Sequence, residues 1–202
     1  MNEGGFWEMT SYNAKGKTQG SSKYQVKSLD QSGDDYTALI QIQILDQKDK
    51  EVMDNELKFK CEDGVLHYDM SQLMPAKSMQ AYKDMDLQMT GDNLEYPSNL
   101  SVGDKLKDAT MNIAIIGEGL PFDMNFKIET KDRKVMSKET ITTPAGTFDC
   151  FKISMTTVSK TVGSVESKSI EYIAPGKGIV RTETYNRGGK MTSYSELTAF
   201  SE

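Results

Sequence analysis

The chain contains a single histidine, and histidine is the side chain best suited to move a proton or bind a transition metal near neutral pH. It stands in Val65-Leu66-His67-Tyr68-Asp69-Met70. On strand parity His67 shares a face with Val65 and Asp69, opposite Leu66, Tyr68 and Met70. A general base needs a positioned nucleophile, and no Gly-x-Ser-x-Gly elbow or comparable turn occurs. His67 therefore reads as a surface residue flanking a hairpin. A zinc site draws three or four ligands from His, Cys and acidic residues, and this sequence spaces none of them that way. Cys61 and Cys150, 89 positions apart, exclude a CxxC motif. They are either two small buried hydrophobes or one disulfide closing a long loop, worth on the order of 4 kcal/mol in the chain-entropy model.

Carboxylates are the next candidates. Asp34-Asp35, Glu62-Asp63 and the pair Asp84 and Asp86 cluster, but none follows the twelve-residue calcium loop with ligands at alternate positions and a distal Glu. Asp63-Gly64 is accounted for by a turn. A glycosidase pair can come from remote parts of a chain, but only Trp7 is available for stacking on a sugar. Gly117-Glu118-Gly119 leads into Leu120-Pro121 and a strand, with no helix start to hold a phosphate. The sequence thus names no catalytic residue, no metal ligand and no cofactor. A hydrolase with scattered carboxylates stays a distant third reading.

Methionine is the unusual residue. Of 13 in the chain, Met70, Met74, Met79, Met85 and Met89 crowd into one region. Flexible thioethers fill irregular space and also line promiscuous apolar sites. They either pack a helix onto a sheet or, on the sharper reading, line an apolar pocket. The candidate lining is Met70, Leu73, Met74, Met79, Tyr82 and Met85.

The elements that would position these residues are mostly strands. Ala38, Ile40, Ile42 and Ile44 share one face, Leu57, Phe59 and Cys61 alternate with Lys58 and Lys60, and Phe122, Met124, Phe126 and Ile128 alternate with polar residues. One apolar and one wet face is the mark of antiparallel sheet. Turn chemistry lies between the runs, at Asn13–Gly16, Ser32-Gly33-Asp34, Asp63-Gly64, Pro144-Ala145-Gly146, Gly163-Ser164 and Asn186–Gly189. One segment departs from this pattern. Ala76, Met79, Tyr82 and Met85 recur every third residue behind Pro75, which suits a first helical turn. A helix over about 71–86, followed by a looser stretch from Gly91 to Asn99, separates two strand groups. The expectation is one β-rich domain over 1–202, a strongly curved antiparallel meander of about ten or eleven strands. It would form a half-open barrel plugged on its concave side by the helix.

Composition narrows the partners. Hydrophobic residues make up 37 % of 202, low for a layered fold and suited to a sheet with one wet face. The net charge is -6 and the 24 basic residues are scattered, so no stripe exists to neutralise nucleic acid or an anionic membrane surface. No apolar run approaches the roughly 18 residues of a membrane span. The N-terminal MNEGGFWEMTSYN lacks the layout of a signal peptide. That fits an intact cytoplasmic protein and equally an exported one starting near its mature end.

Two C-terminal stretches, Thr143-Pro144-Ala145-Gly146-Thr147-Phe148 with its following strand, and Tyr172-Ile173-Ala174-Pro175-Gly176-Lys177-Gly178-Ile179-Val180, resemble the TPAGTF and Y-APG-G-V turns of a family of exported bacterial β-proteins of unknown function. The Tyr12–Lys17 turn and the Met70–Met85 segment fit the same family, so the resemblance covers most of the chain. It implies a fold similar to lipoprotein-carrier half-barrels and a periplasmic or outer-membrane-associated location. The absent signal departs from that pattern and implies its removal, leaving membrane association only through such a signal or a lipid anchor. A Cys61–Cys150 disulfide would suit that oxidising compartment. The family supplies no functional residue to carry over. The functional expectation is a non-enzymatic envelope protein binding an apolar ligand, such as a lipid or a lipoprotein acyl chain, or an envelope partner. The alternative is a structural or interaction domain with a fully packed core.

Overall fold

The structure is a computed structural model that describes residues 2–69, 86–116, 124–160 and 163–201. Thirteen strands follow one another: β1 (Phe6–Asn13), β2 (Thr18–Ser32), β3 (Asp35–Asp46), β4 (Glu51–Glu62), β5 (Val65–Tyr68), β6 (Asp86–Gly91), β7 (Leu94–Pro97), β8 (Ala109–Ile116), β9 (Met124–Thr143), β10 (Gly146–Lys160), β11 (Ser164–Ala174), β12 (Gly178–Asn186) and β13 (Met191–Ser201). All join one sheet in the order β6-β8-β9-β10-β11-β12-β13-β1-β2-β3-β4-β5-β7, and every pairing is antiparallel. The sheet is not closed: β6 and β7 are its two edges.

The meander holds, with two corrections. There are thirteen strands where ten or eleven were expected, and β7 lies inside the stretch read as loose. Among the described residues there is no helix; Asp86, the expected helix end, is the first residue of β6, and residues 70–85 lie outside the described residues.

Alternation produces the sheet's regular part. Ala38, Ile40 and Ile42 of β3 are buried, and they pair with Phe59, Leu57 and Asn55 of β4 on one side and with Leu29, Val26 and Tyr24 of β2 on the other. Val26, Ala38, Ile40, Ile42, Met53 and Leu57 form one apolar cluster. Lys58 and Lys60, one residue out of phase, face solvent. Two-residue turns close the β2–β3 and β4–β5 hairpins; at the β4–β5 turn Asp63 and Gly64 take φ of 52° and 72°, the mirror-image turn that matches strand twist.

The sheet is strongly rolled, and chain connectivity proves it. In a flat sheet β6 and β7, twelve strand spacings apart, would be separated by roughly 55–60 Å. Only Asp92 and Asn93 separate Gly91 of β6 from Leu94 of β7, a reach of roughly 11 Å. The two edges must therefore curl towards each other. Beyond β7 the connection to β8 laces onto the far part of the sheet. Gly103 N and Leu106 N donate to the carbonyls of Val135 and Arg133, and Val135 N donates to that of Asp104. Gly91 permits close packing at the edge: a Cβ there would run into the Thr110 carbonyl oxygen on β8.

Candidate functional site

The roll brings together side chains from strands far apart in the sheet. Tyr96 on edge strand β7 donates its hydroxyl to Glu171 Oε2 on β11 at 3.1 Å, although eight positions separate these strands in the sheet order. The contact crosses the concave side. Arg133 of β9 lies with it, its guanidinium carbon 4.7 Å from the centroid of the Tyr96 ring, a cation–π distance. Tyr68 on β5 packs edge-on against Phe59, with centroids 5.3 Å apart, and Tyr24 stacks on Trp7 at 4.9 Å. Around the arginine, Leu106, Val135, Phe151, Ile153 and Met155 form a second apolar cluster.

A bulge puts Arg133 inside. Ser154 pairs with Lys134 and Thr156 with Lys131, so Asp132 and Arg133 together oppose the single residue Met155. Asp132 takes the left-handed φ of 56°, which Asp tolerates better than most residues. Before the bulge the even residues Ile128 and Thr130 face inward; after it the odd residues Arg133 and Val135 do. Arg133 is 1 % exposed. Its Nη1 donates to the Lys107 carbonyl at 2.9 Å, while Nε and Nη2 have no partner among the described residues.

Burial sets the electrostatics. The Glu171 carboxyl is pushed above the usual carboxylate range by desolvation, which outweighs the Tyr96 hydrogen bond and the Arg133 charge pulling the other way. Desolvation, reinforced by the Glu171 charge, lifts the Tyr96 phenol well above its ordinary value. Burial likewise raises Tyr24 and Tyr68. The phenols are therefore neutral donors at physiological pH. The set is a fixed positive charge, neutral hydroxyls and the Glu171 carboxyl in apolar surroundings, equipped to bind and orient.

The pocket residues expected from the sequence, Met70, Leu73, Met74, Met79, Tyr82 and Met85, lie outside the described residues. Met89 packs against the β8 cluster of Ala109, Met111, Ile113 and Ile115. A hollow of about 300 Å³ near the β6–β7 link is lined by Asp69, Met89, Gly91, Asp92, Asn93 and Met111 among others. His67 pairs with Lys60 and Glu95, away from the concave cluster. Both cysteines are free and buried, so they do not form the disulfide. Among the described residues no group of three or more His, Cys, Asp or Glu is placed to hold a metal. Glu183 and Glu196 converge, bridged by Arg181 at 2.9 and 2.8 Å.

Sequence reasoning missed Arg133, Tyr96 and Glu171. A signal for the first was present. Inward parity changes from Ile128 to Val135 across the polar run Thr130–Lys134, and such a change requires one extra residue in the strand.

A profile of the DUF3108-like family matches residues 2–197. The chain belongs to that family. The DUF3108-like chain is similar to a solved candidate exported protein with a YmcC-like fold from Bacteroides fragilis. The two are 26 % identical with a TM-score of 0.78, covering 100 % of this chain and 97 % of that one. It also shares its fold with a candidate lipoprotein from Parabacteroides distasonis, at 23 % identity and a TM-score of 0.77 over 99 % and 96 % of the two chains. Among curated proteins none matches.

Proposed function

We propose that this DUF3108-like protein is a non-enzymatic, exported component of the cell envelope that takes an apolar ligand, a lipid or a lipoprotein acyl chain, against the concave side of its rolled sheet. The observation that carries the reading is the state of the concave aromatics. Trp7, Tyr24, Phe59, Tyr68 and Tyr96 are all half-buried, and among the described residues the buried apolar side chains fall into four clusters. A face of this kind, apolar with a few convergent polar groups, is what ligand sites usually present. The similarity to a candidate exported protein of Bacteroides fragilis supports the envelope location.

The test is native mass spectrometry of protein purified without detergent from its own host, together with titration of the neutral dye N-phenyl-1-naphthylamine. The expected result is a copurifying lipid-sized adduct and saturable dye fluorescence. Repeated preparations that come out empty, with the dye left in water, would replace this reading with that of a structural domain whose core is fully packed.

A further inference from the structure

The geometry points to an oxyanion-binding subsite at Arg133 that anchors the charged head of the ligand. The inference rests on the proposed concave-side binding and names the head group that site selects. A guanidinium presents five N–H donors in a rigid fork, and Arg133 uses one nitrogen, Nη1, on the Lys107 carbonyl. The unpartnered Nε and Nη2 are neighbouring nitrogens on one edge of the plane. That edge donates two parallel hydrogen bonds to the paired oxygens of a carboxylate or phosphate.

Three further observations favour a ligand over a structural role. Buried polar groups are nearly always satisfied, yet this side chain is 1 % exposed with two nitrogens idle. Its orientation is fixed by the Tyr96 ring and the Lys107 carbonyl, so an incoming anion meets a pre-organised fork. Glu171, the carboxyl that shares Tyr96 with it, is engaged by the Tyr96 hydroxyl and makes no hydrogen bond to the idle nitrogens of Arg133. Tyr96 and Glu171 are half-buried and less enclosed than the arginine. The apolar body of the ligand would lie along Val135, Phe151, Ile153 and Met155.

The experiment compares decanoate, decyl phosphate and decanol as competitors of N-phenyl-1-naphthylamine at neutral pH, on the full chain and on Arg133→Met and Arg133→Gln, with circular dichroism as the check on folding. Two charge-assisted hydrogen bonds predict that at least one acid binds the wild type about ten- to a hundredfold more tightly than decanol. Both variants should lose that preference, the acids falling to about the affinity of decanol on the same variant. Whether decanoate or decyl phosphate gains more identifies the head as carboxylate or phosphate. Equal binding of acids and alcohol by the wild type would overturn the subsite while leaving the concave-side ligand standing, and so would a preference that survives in a folded variant. Failure of all three to displace the dye, or to bind at all, would remove the underlying reading as well.

Discussion

Arg133 on β9 and Arg181 on β12 lie three strands apart in the same sheet and are treated in opposite ways. Glu171 and Tyr172, adjacent on β11, point to opposite faces; the first belongs to the Arg133 cluster and the second pairs across the ladder with Arg181. Arg181 is paired with two carboxylates. Its Nε meets Glu183 and its Nη1 meets Glu196, its guanidinium lies 4.6 Å from the Tyr194 ring centroid, and Glu183 also accepts from Tyr185 at 2.7 Å. Tyr194 in turn stacks on Tyr12 at 4.9 Å, tying β12 through β13 to β1. Arg133 has one carbonyl and one ring. A network that satisfies every member holds strands in register, whereas idle donors cost stability and are kept for another purpose.

Replacing each arginine by methionine tests that contrast most strongly. Arg181→Met leaves Glu183 and Glu196 partly buried, close together and without a cation. We expect a loss of about 2–3 kcal/mol in urea unfolding at pH 7. Arg133→Met discards one hydrogen bond and a ring contact but also removes an unsatisfied buried charge, so its cost should stay below about 1 kcal/mol. Similar losses for the two would place Arg133 in the scaffold and dissolve the comparison.

A smaller effect comes from Tyr96→Phe. The ring under Arg133 remains, and only the hydroxyl that spans the roll to Glu171 is lost. Removal of one half-buried hydrogen bond to a carboxyl should cost about 1 kcal/mol. The edge strand β7 makes its sheet pairing only with β5. Hydrogen exchange should therefore rise at Leu94–Tyr96 and at their β5 partners more than at β2–β4. Uniform change across the sheet would mean that the Tyr96 contact does not hold the roll.

How far the sequence reveals this molecule depends on how regular each region is. The β2–β4 hairpins were legible because Ala38, Ile40 and Ile42, then Leu57, Phe59 and Cys61, keep strict alternation without a break. Turns were read from Gly, Pro, Asn and Asp, yet the β3–β4 turn was missed. There Asp46 organises Gln47–Lys50 by accepting from Lys48 N and Lys50 N, in a run that looks merely charged. β7 was hidden because four residues carry too little pattern to separate strand from loop. Arg133 was hidden because a bulge changes which residues face inward, and its polar neighbours disguise it as a solvated stretch. The cross-roll contacts of Tyr96 and Glu171 depend on long-range curvature, which local periodicity does not encode. The crossing of β6 and β7 to opposite edges is of the same kind.

The last test is the smallest in energy and concerns whether Arg133 is waiting for an anion from outside. Glu171 titrates above an unfolded glutamate, whose pKa is about 4.3. A raised folded-state value means that the native state holds the proton more tightly. The stability linked to this group is then present in full below the unfolded value and lost as pH rises through the folded one. At pH 7 the buried carboxylate is therefore a cost, and Glu171→Gln, which imitates the protonated form, should be more stable than wild type at pH 7 and lose that advantage towards pH 4. Glu129 moves in the opposite sense in the same range. Hydrogen bonds from Lys127 and Lys160 hold it down to about 2, so its contribution is present above the unfolded value and fades as pH falls through about 2. The difference between variant and wild type cancels that background and isolates Glu171. If Glu171→Gln instead loses stability at pH 7, the carboxylate is serving as the counterion of Arg133 across the gap that separates them. The arginine would then already have its anion, and Arg181, paired with two carboxylates, and Arg133, facing one across a gap, would be two forms of one device.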